Sequence, residues 1–244
     1  MAHVLESTRS FLYANPELHL PYKRSEAFKK LIKQRAQGHP IAYLTGKTEF
    51  WSLPIHVSPA VLIPRPDTEL LVETALKRVP TEADWRIADL GTGSGAIALA
   101  IASERKKCEI HATDISMAAI SIAQKNARQL DLAHICLHQG SWSQPLTGSF
   151  HLVVSNPPYI DAADPHLGQG DLRFEPRDAL TPGSDGLDAI RTISRLASPL
   201  LLDGGWLMLE HGWEQGSATR EICLLYTSPS PRDSLHNLVF RLMH

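Results

Sequence analysis

Two hydrophobic patterns alternate through most of this 244-residue chain. One is a short apolar run bounded by turn residues, as in Ile87-Ala-Asp-Leu, Ile110-His-Ala-Thr, Phe150-His-Leu-Val-Val-Ser and Trp206-Leu-Met-Leu. The other places apolar residues three and four positions apart with polar residues between them. The runs predict strands over 86–90, 109–113, 134–138, 150–155 and 206–210. The spaced pattern predicts helices over 96–105, 117–130, 187–202 and 214–222. Strands and helices that alternate in this way predict an α/β, doubly wound, Rossmann-like parallel sheet with helices on both faces.

Upstream the pattern is different. Ala27, Phe28, Leu31 and Ile32 form one stripe of a helix over 25–36, which Gly38 and Pro40 stop. Residues 1–48 therefore read as a small helical module, too short for a core of its own. Two extended pieces, 50–58 and 61–63, are expected to pair as a hairpin linker spanning 49–66, with Pro54 and Pro59 confined to edges or bends. An amphipathic helix follows over 67–77. Asp67 is its expected cap, Glu69 lies in its first turn, and Lys77 and Arg78 lie near its end, as the helix dipole favours. The doubly wound domain is expected over 67–222. From Cys223 the pattern breaks. Pro229, Pro231 and a run of serines and threonine make 223–244 an atypical, unstructured or foreign tail.

Composition narrows the chemistry. A net charge of −2 gives no electrostatic footprint for bulk nucleic-acid binding, so no direct nucleic-acid partner is expected. The local basic group Lys23, Arg24, Lys29, Lys30, Lys33 and Arg35 reads as a solvated helix face. Cys108, Cys136 and Cys223 are scattered, with no CxxC pair, so neither a disulfide framework nor a zinc site is expected. His134 and His138 share a predicted strand face but lie too far apart to hold one ion, and no metal is expected. No stretch approaches the roughly 18 apolar residues of a membrane span. Met1-Ala-His-Val-Leu-Glu-Ser lacks the basic and apolar regions of a signal peptide, so a cytoplasmic, membrane-free protein is expected.

The strand over 86–90 runs into Gly91-Thr92-Gly93-Ser94-Gly95. Glycines at a strand-to-helix turn let backbone N–H groups approach a ligand closely. Asp114 ends the next strand, where a carboxylate can accept both hydroxyls of a ribose. Nicotinamide enzymes and S-adenosylmethionine enzymes both use this pairing, so it points to an adenosine-type ligand without choosing between them. Asp89, just before the loop, is either a structural carboxylate or a water-mediated contact. Trp142, after the third strand, either stacks on the adenine or covers the sheet edge.

Asn156-Pro157-Pro158-Tyr159 closes the strand over 150–155. In the usual strand order this turn faces the glycine loop across one crevice. An amide nitrogen is a weak nucleophile with two N–H groups to satisfy. Asn156 offers a side-chain carbonyl, and Pro157 offers its main-chain carbonyl. Pro158 forces Pro157 into an extended conformation, which presets these acceptors. Paired acceptors orient the nitrogen and stabilise the positive charge that develops as it attacks a methyl group. Tyr159 can cover the substrate plane. The expected chemistry is methyl transfer to an amide or amino nitrogen.

The chain resembles the release-factor glutamine methyltransferases (PrmC/HemK). The likeness rests on Gly38-His-Pro-Ile-Ala-Tyr-Leu-Thr-Gly, Glu49-Phe-Trp-Ser-Leu, Leu62-Ile-Pro-Arg-Pro-Asp-Thr-Glu, Asp89-Leu-Gly-Thr-Gly-Ser-Gly, Ser155-Asn-Pro-Pro-Tyr-Ile, Arg173-Phe-Glu-Pro and Leu209-Glu-His-Gly. The resemblance implies a class I S-adenosylmethionine-dependent methyltransferase domain; a monomer is expected. It implies methylation at N5 of the glutamine in the Gly-Gly-Gln loop of class I peptide-chain release factors. By the same resemblance Gly91, Thr92, Gly93, Ser94, Gly95, Asp114, Trp142 and Asn156 bind the donor. Asn156, Pro157, Pro158 and Tyr159 bind the glutamine, with Asn156 and Pro157 as the catalytic pair. Arg65, Pro66 and Glu69 are expected near the same cleft. Against the family's pattern the helical module is expected to be truncated, and 223–244 has no counterpart. A sheet without its last strand pair would expose an edge. Adenine-N6 methylation of nucleic acid, and an inactive truncated fragment that only binds, are the alternatives.

Overall fold

The computed structural model describes residues 1–226 and 238–242. Helices α1 (Ala2–Leu5), α2 (Arg9–Ala14), α3 (Tyr22–Ala36) and α4 (Ile41–Thr45) precede a hairpin of β1 (Lys47–Phe50) and β2 (Leu53–His56). Helix α5 (Glu69–Arg78) leads into β3 (Arg86–Leu90), α6 (Ala96–Glu104), β4 (Glu109–Asp114), α7 (Met117–Gln129), β5 (Cys136–Gln139) and β6 (Phe150–Ser155). Helix α8 (Asp188–Ala197), β7 (Leu201–His211), α9 (Gly216–Tyr226) and β8 (Leu238–Leu242) follow.

The large sheet has the order β5-β4-β3-β6-β7-β8, and every pair in it is parallel. The winding reverses between β3 and β6, so the crevice beyond their C-terminal ends is the natural ligand site of such a sheet. One face packs Leu71 and Val72 of α5 and Ile97 and Leu99 of α6 against Ile87, Leu152 and the hairpin's Ile55. The other packs Ile190 and Ile193 of α8 against Phe150, Val153 and Leu207. Helix α6 is buried from Ala96 through Ala102. Its alanines let it lie close on the sheet, which holds its N-terminus firmly at the crevice.

Several expectations need correction. The hairpin pairs 47–50 with 53–56 and does not include 61–63. Its turn, Trp51-Ser52, has φ of 52° and 58°, a left-handed pair usually marked by Asn-Gly. Glu69 holds it by accepting the Trp51 N–H at 2.7 Å. Asp67 does not cap α5. Pro66 starts a tight turn over Pro66–Thr68, and Thr68 stands at the helix boundary. Helix α3 buries no residue fully: of the expected stripe Phe28 and Leu31 are half-buried, while Ala27 and Ile32 are exposed. Helix α8 ends at Ala197, and β7 starts as early as Leu201 because Leu201 pairs with Phe150 across a bulge. Strand β5 begins at Cys136, so His134 lies outside it.

The tail expectation changes too. Helix α9 runs through Cys223, which is fully buried against α8, to Tyr226. Leu238–Leu242 pairs with β7 and so covers that edge. The rest of the expected tail lies outside the described residues.

The helical module is tied to the body near the crevice. Arg35 and Arg173 reach across, Arg35 to Asp171 at 3.3 Å and Arg173 to the Gln37 carbonyl at 3.1 Å. The rings of His39 and Phe174 lie 4.4 Å apart.

Candidate active site

The loop after β3 is built by left-handed glycines. Gly91, Gly93 and Gly95 have φ of 76°, 56° and 84°. The Gly91 and Thr92 N–H groups donate to the Thr113 carbonyl at 2.9 and 2.8 Å, which ties the loop to β4. A Cβ at Gly91 would stand 3.2 Å from the Trp142 ring, whereas one at Gly93 meets nothing within 4 Å. Gly93 thus faces open space, and Trp142 lies against the loop. Gly95 instead faces inward, where a Cβ would lie 3.1 Å from both Ala123 and Leu99.

Asp114 shapes the same loop. One oxygen accepts the Gly93 N–H at 2.9 Å and the other accepts the Ser116 N–H at 2.9 Å. Burial raises its carboxyl above the ordinary value, and these two N–H groups pull it back. Asp89 is wholly buried. It accepts the Thr92 hydroxyl at 2.6 Å and the Ala98 N–H at 3.3 Å. Burial pushes its carboxyl up to about 7, opposed by the Thr92 and Ala98 bonds. It fastens the loop to α6 from beneath and is not among the residues at the cavity wall.

These residues line a cavity of about 310 Å³. Gly91, Thr92, Gly93, Ser94, Asp114, Trp142, Asn156 and Pro158 are at its wall; Gly95 is not. Ser141 joins Trp142 at the wall, as expected of the loop after the third strand, whereas Ala60, Val61, Leu62 and Pro64, Ala96, Ile115, Ser116 and Ala119, and Pro176, Asp178 and Ala179 were not placed there from the sequence. The first and last of these groups lie in aperiodic loops, where only Pro64 and Pro176 hinted at fixed backbone.

The Asn156 corner stands beside a second, smaller cavity of about 50 Å³. Arg65, Asn156, Pro157, Pro158 and Tyr159 line it together with aliphatic side chains. Asn156 and Pro158 border both cavities. Asn156 donates its side-chain N–H to Thr68 Oγ1 at 3.1 Å, which leaves its carbonyl oxygen as the group on offer. Thr68 is itself buried and was not singled out in the sequence. Tyr159 donates its hydroxyl to buried Glu210 at 3.3 Å, and its carbonyl accepts from Gln215 at 2.9 Å. Burial, then the Glu210 carboxylate, holds the Tyr159 hydroxyl well above the ordinary tyrosine value, so it stays protonated.

Residues 1–46 match the family model described as PrmC N-terminal domain, and 66–170 match the one described as methyltransferase small domain. A curated relative from Xylella fastidiosa, named release factor glutamine methyltransferase, is 51% identical over 229 residues. That alignment covers 93% of this chain and 82% of the relative. The chain belongs to the release factor glutamine methyltransferase family. The Escherichia coli member of the same name is 51% identical over 226 residues, 92% of this chain and 81% of that protein. A ribosomal protein L11 methylase from Lactobacillus delbrueckii shares the fold at TM-score 0.53 and 20% identity, over 74% of this chain and 80% of that one.

Within the family frame, the glycine loop and the Asn156 corner stand on one crevice, as the sequence pattern implied. No helix among the described residues is long and apolar enough to cross a membrane. Away from both cavities, Glu109, His111 and Cys136 bring ligand-type atoms within 4.8 Å of one another. The Arg86 guanidinium is bound to two of them, 3.1 Å from Glu109 and 3.3 Å from His111.

Proposed function

We propose that this chain methylates N5 of the glutamine in the Gly-Gly-Gln motif of class I peptide-chain release factors, with S-adenosylmethionine as donor. One observation carries this reading: Asn156 and Pro158 form a shared wall between a nucleotide-sized cavity and a small slot. Small-molecule sites occupy roughly 300–1,000 Å³, and the larger cavity falls at the lower end of that range. Its chemistry suits the donor. Gly93 leaves open backbone at the wall, and Asp114 presents a carboxylate suited to ribose hydroxyls. In this reading Gly91–Ser94, Asp114, Trp142 and Asn156 hold the donor, and Gly95 supports the loop from behind.

Bound there, S-adenosylmethionine supplies an electrophilic methyl on a sulfonium sulfur. The protein supplies orientation and charge stabilisation. The Asn156 side-chain carbonyl and the Pro157 main-chain carbonyl accept the two N–H groups of the glutamine amide. They hold its nitrogen still and stabilise the positive charge that builds as the new C–N bond forms. Transfer of the methyl to that nitrogen would leave the electron pair of the broken C–S bond on the donor's sulfur. The methylated nitrogen then loses one proton to water, so no side-chain base is needed. Tyr159, kept neutral, covers the amide plane without competing as a nucleophile.

Class I release factors act in translation, so a cytoplasmic enzyme follows from the reading. The test is transfer of labelled methyl to purified release factor and, separately, to DNA. Label on the factor's Gly-Gly-Gln glutamine is the expected result. Label in DNA with none in the factor would replace this function with adenine methylation.

A further inference from the structure

We infer that Arg65 is a substrate-reading residue: it donates to the carbonyl oxygen of the substrate amide, and buried Glu175 is the positioning residue that aims it. The inference rests on the glutamine reading and deepens it. A primary amide brings two N–H donors and one carbonyl acceptor into a dry slot. The Asn156 and Pro157 carbonyls answer only the donors. The oxygen then needs a donor of its own, because a buried acceptor left unmet costs most of its lost hydration.

Three side chains on the slot's wall carry N–H or O–H groups: Arg65, Asn156 and Tyr159. Asn156 gives one of its two amide N–H groups to Thr68, and its carbonyl end is the one this reading turns to the substrate, while Tyr159 gives its single hydroxyl hydrogen to Glu210. Arg65 uses one guanidinium nitrogen on Glu175 at 2.6 Å, has further N–H groups to offer, and is itself part of the slot's wall. The other wall residues are prolines and aliphatic side chains.

The placement of Arg65 is fixed from both ends. Pro66 confines Arg65 to extended backbone, observed at φ −99° and ψ 145°. Glu175 has no exposed side-chain surface, while Arg65 keeps 30% of its own. The carboxylate therefore acts as a fixed anchor behind a guanidinium that still reaches the cavity. Guanidinium is planar and presents several donors in a rigid fork, so one edge can face Glu175 and another the substrate. A positive charge at the wall also disfavours a protonated amine, so lysine is rejected on charge as well as on shape.

The test uses the full chain in four forms: wild type, Arg65→Gln, Arg65→Lys and Glu175→Gln. Calorimetric affinity for S-adenosylmethionine comes first, expected to hold within about twofold in all four, which shows an intact donor cavity. Turnover is then measured on purified class I release factor. Arg65→Gln is expected to lower kcat/KM roughly tenfold to a hundredfold, the cost of one unmet acceptor. Arg65→Lys is expected to recover part of that loss, and Glu175→Gln to fall between. A kcat/KM for Arg65→Gln within about twofold of wild type, with turnover intact, would overturn the assignment. A second measurement works without turnover: equilibrium binding of a short Gly-Gly-Gln peptide in the presence of S-adenosylhomocysteine. If wild type binds it and Arg65→Gln does not, Arg65 is supported even where no release factor is methylated, an outcome that would fault the function reading alone. Equal binding by both, or by neither, rejects Arg65 as the reader.

Discussion

Thr68→Val isolates orientation from chemistry at the Asn156 corner. Valine matches threonine in shape, so the buried site keeps its packing while the acceptor for the Asn156 amide at 3.1 Å is lost. Asn156 borders both cavities, where water can reach its freed N–H, so the folding cost is about 1 kcal/mol, the low end for a lost hydrogen bond. For a chain of this size that is roughly a 2–4 °C fall in melting temperature. The cost to activity is larger in kind. Without Thr68 the carboxamide can turn over and present N–H where the substrate needs an acceptor. Asn156→Ala, which removes the acceptor outright, is expected to lower kcat by about a hundredfold, by analogy with losing one preorganised transition-state partner. Thr68→Val, which only frees the rotation, is expected to lower kcat about tenfold, intermediate between no loss and that limit. Because Thr68 acts through Asn156, the double variant is expected to match Asn156→Ala alone. The assay is single-turnover methyl transfer at saturating donor and release factor. Losses that multiply in the double variant, or an unchanged kcat in Thr68→Val, would refute the orienting role.

Other consequences follow from the loop. Asp114→Ala is expected to weaken donor binding, read as a higher calorimetric Kd, because it removes the ribose acceptor and frees the Gly93 N–H; an unaltered Kd removes Asp114 from the donor site. Gly93→Ala has room for its methyl but a φ of 56°, so it is expected to cost about 1 kcal/mol of stability and to weaken donor binding further by filling the open wall. Melting curves at full donor strength would detect both, and donor affinity equal to wild type would contradict the second. Asp89 has a folded value of about 7 against 3.8 in the unfolded chain. Folding therefore favours its protonated form. Its stabilising contribution is complete below 3.8 and is lost as pH rises through about 7. Asp89→Asn, which cannot ionise, is expected to gain on wild type in melting temperature across that window. A pH-independent difference between the two would show that Asp89 does not titrate there.

Individual elements show what was legible and what was not. The strands 86–90 and 150–155 were read to the residue, because each is an apolar run cut off sharply by glycine or by Asn-Pro. The hairpin register was missed because Trp51-Ser52 carries no local turn signal; a carboxylate from α5 holds it. Asp67 looked like a cap and is not one, since Pro66 commits the preceding residues to a tighter turn. The segment Arg65–Glu69 illustrates the limit most clearly. In sequence it is a distinctive string near a helix start. In the fold its Arg65 reaches Glu175, its Thr68 orients Asn156 and its Glu69 holds the hairpin turn.

The amino-acid sequence by itself determined the order of strands and helices, the glycine loop and the diproline corner, because periodicity and restricted backbone angles are properties of neighbouring residues. It also determined the family, through strings that survive intact along the chain. Tertiary structure alone decided which side chains meet: Thr68 with Asn156, Arg65 with Glu175, and the prolines near 64 and 176 across one cleft. Those pairings join positions far apart in the chain, and only the reversal of winding between β3 and β6 brings them to a common wall. The direction in which a buried amide points is set by the partner packed against it, and no local pattern encodes that partner.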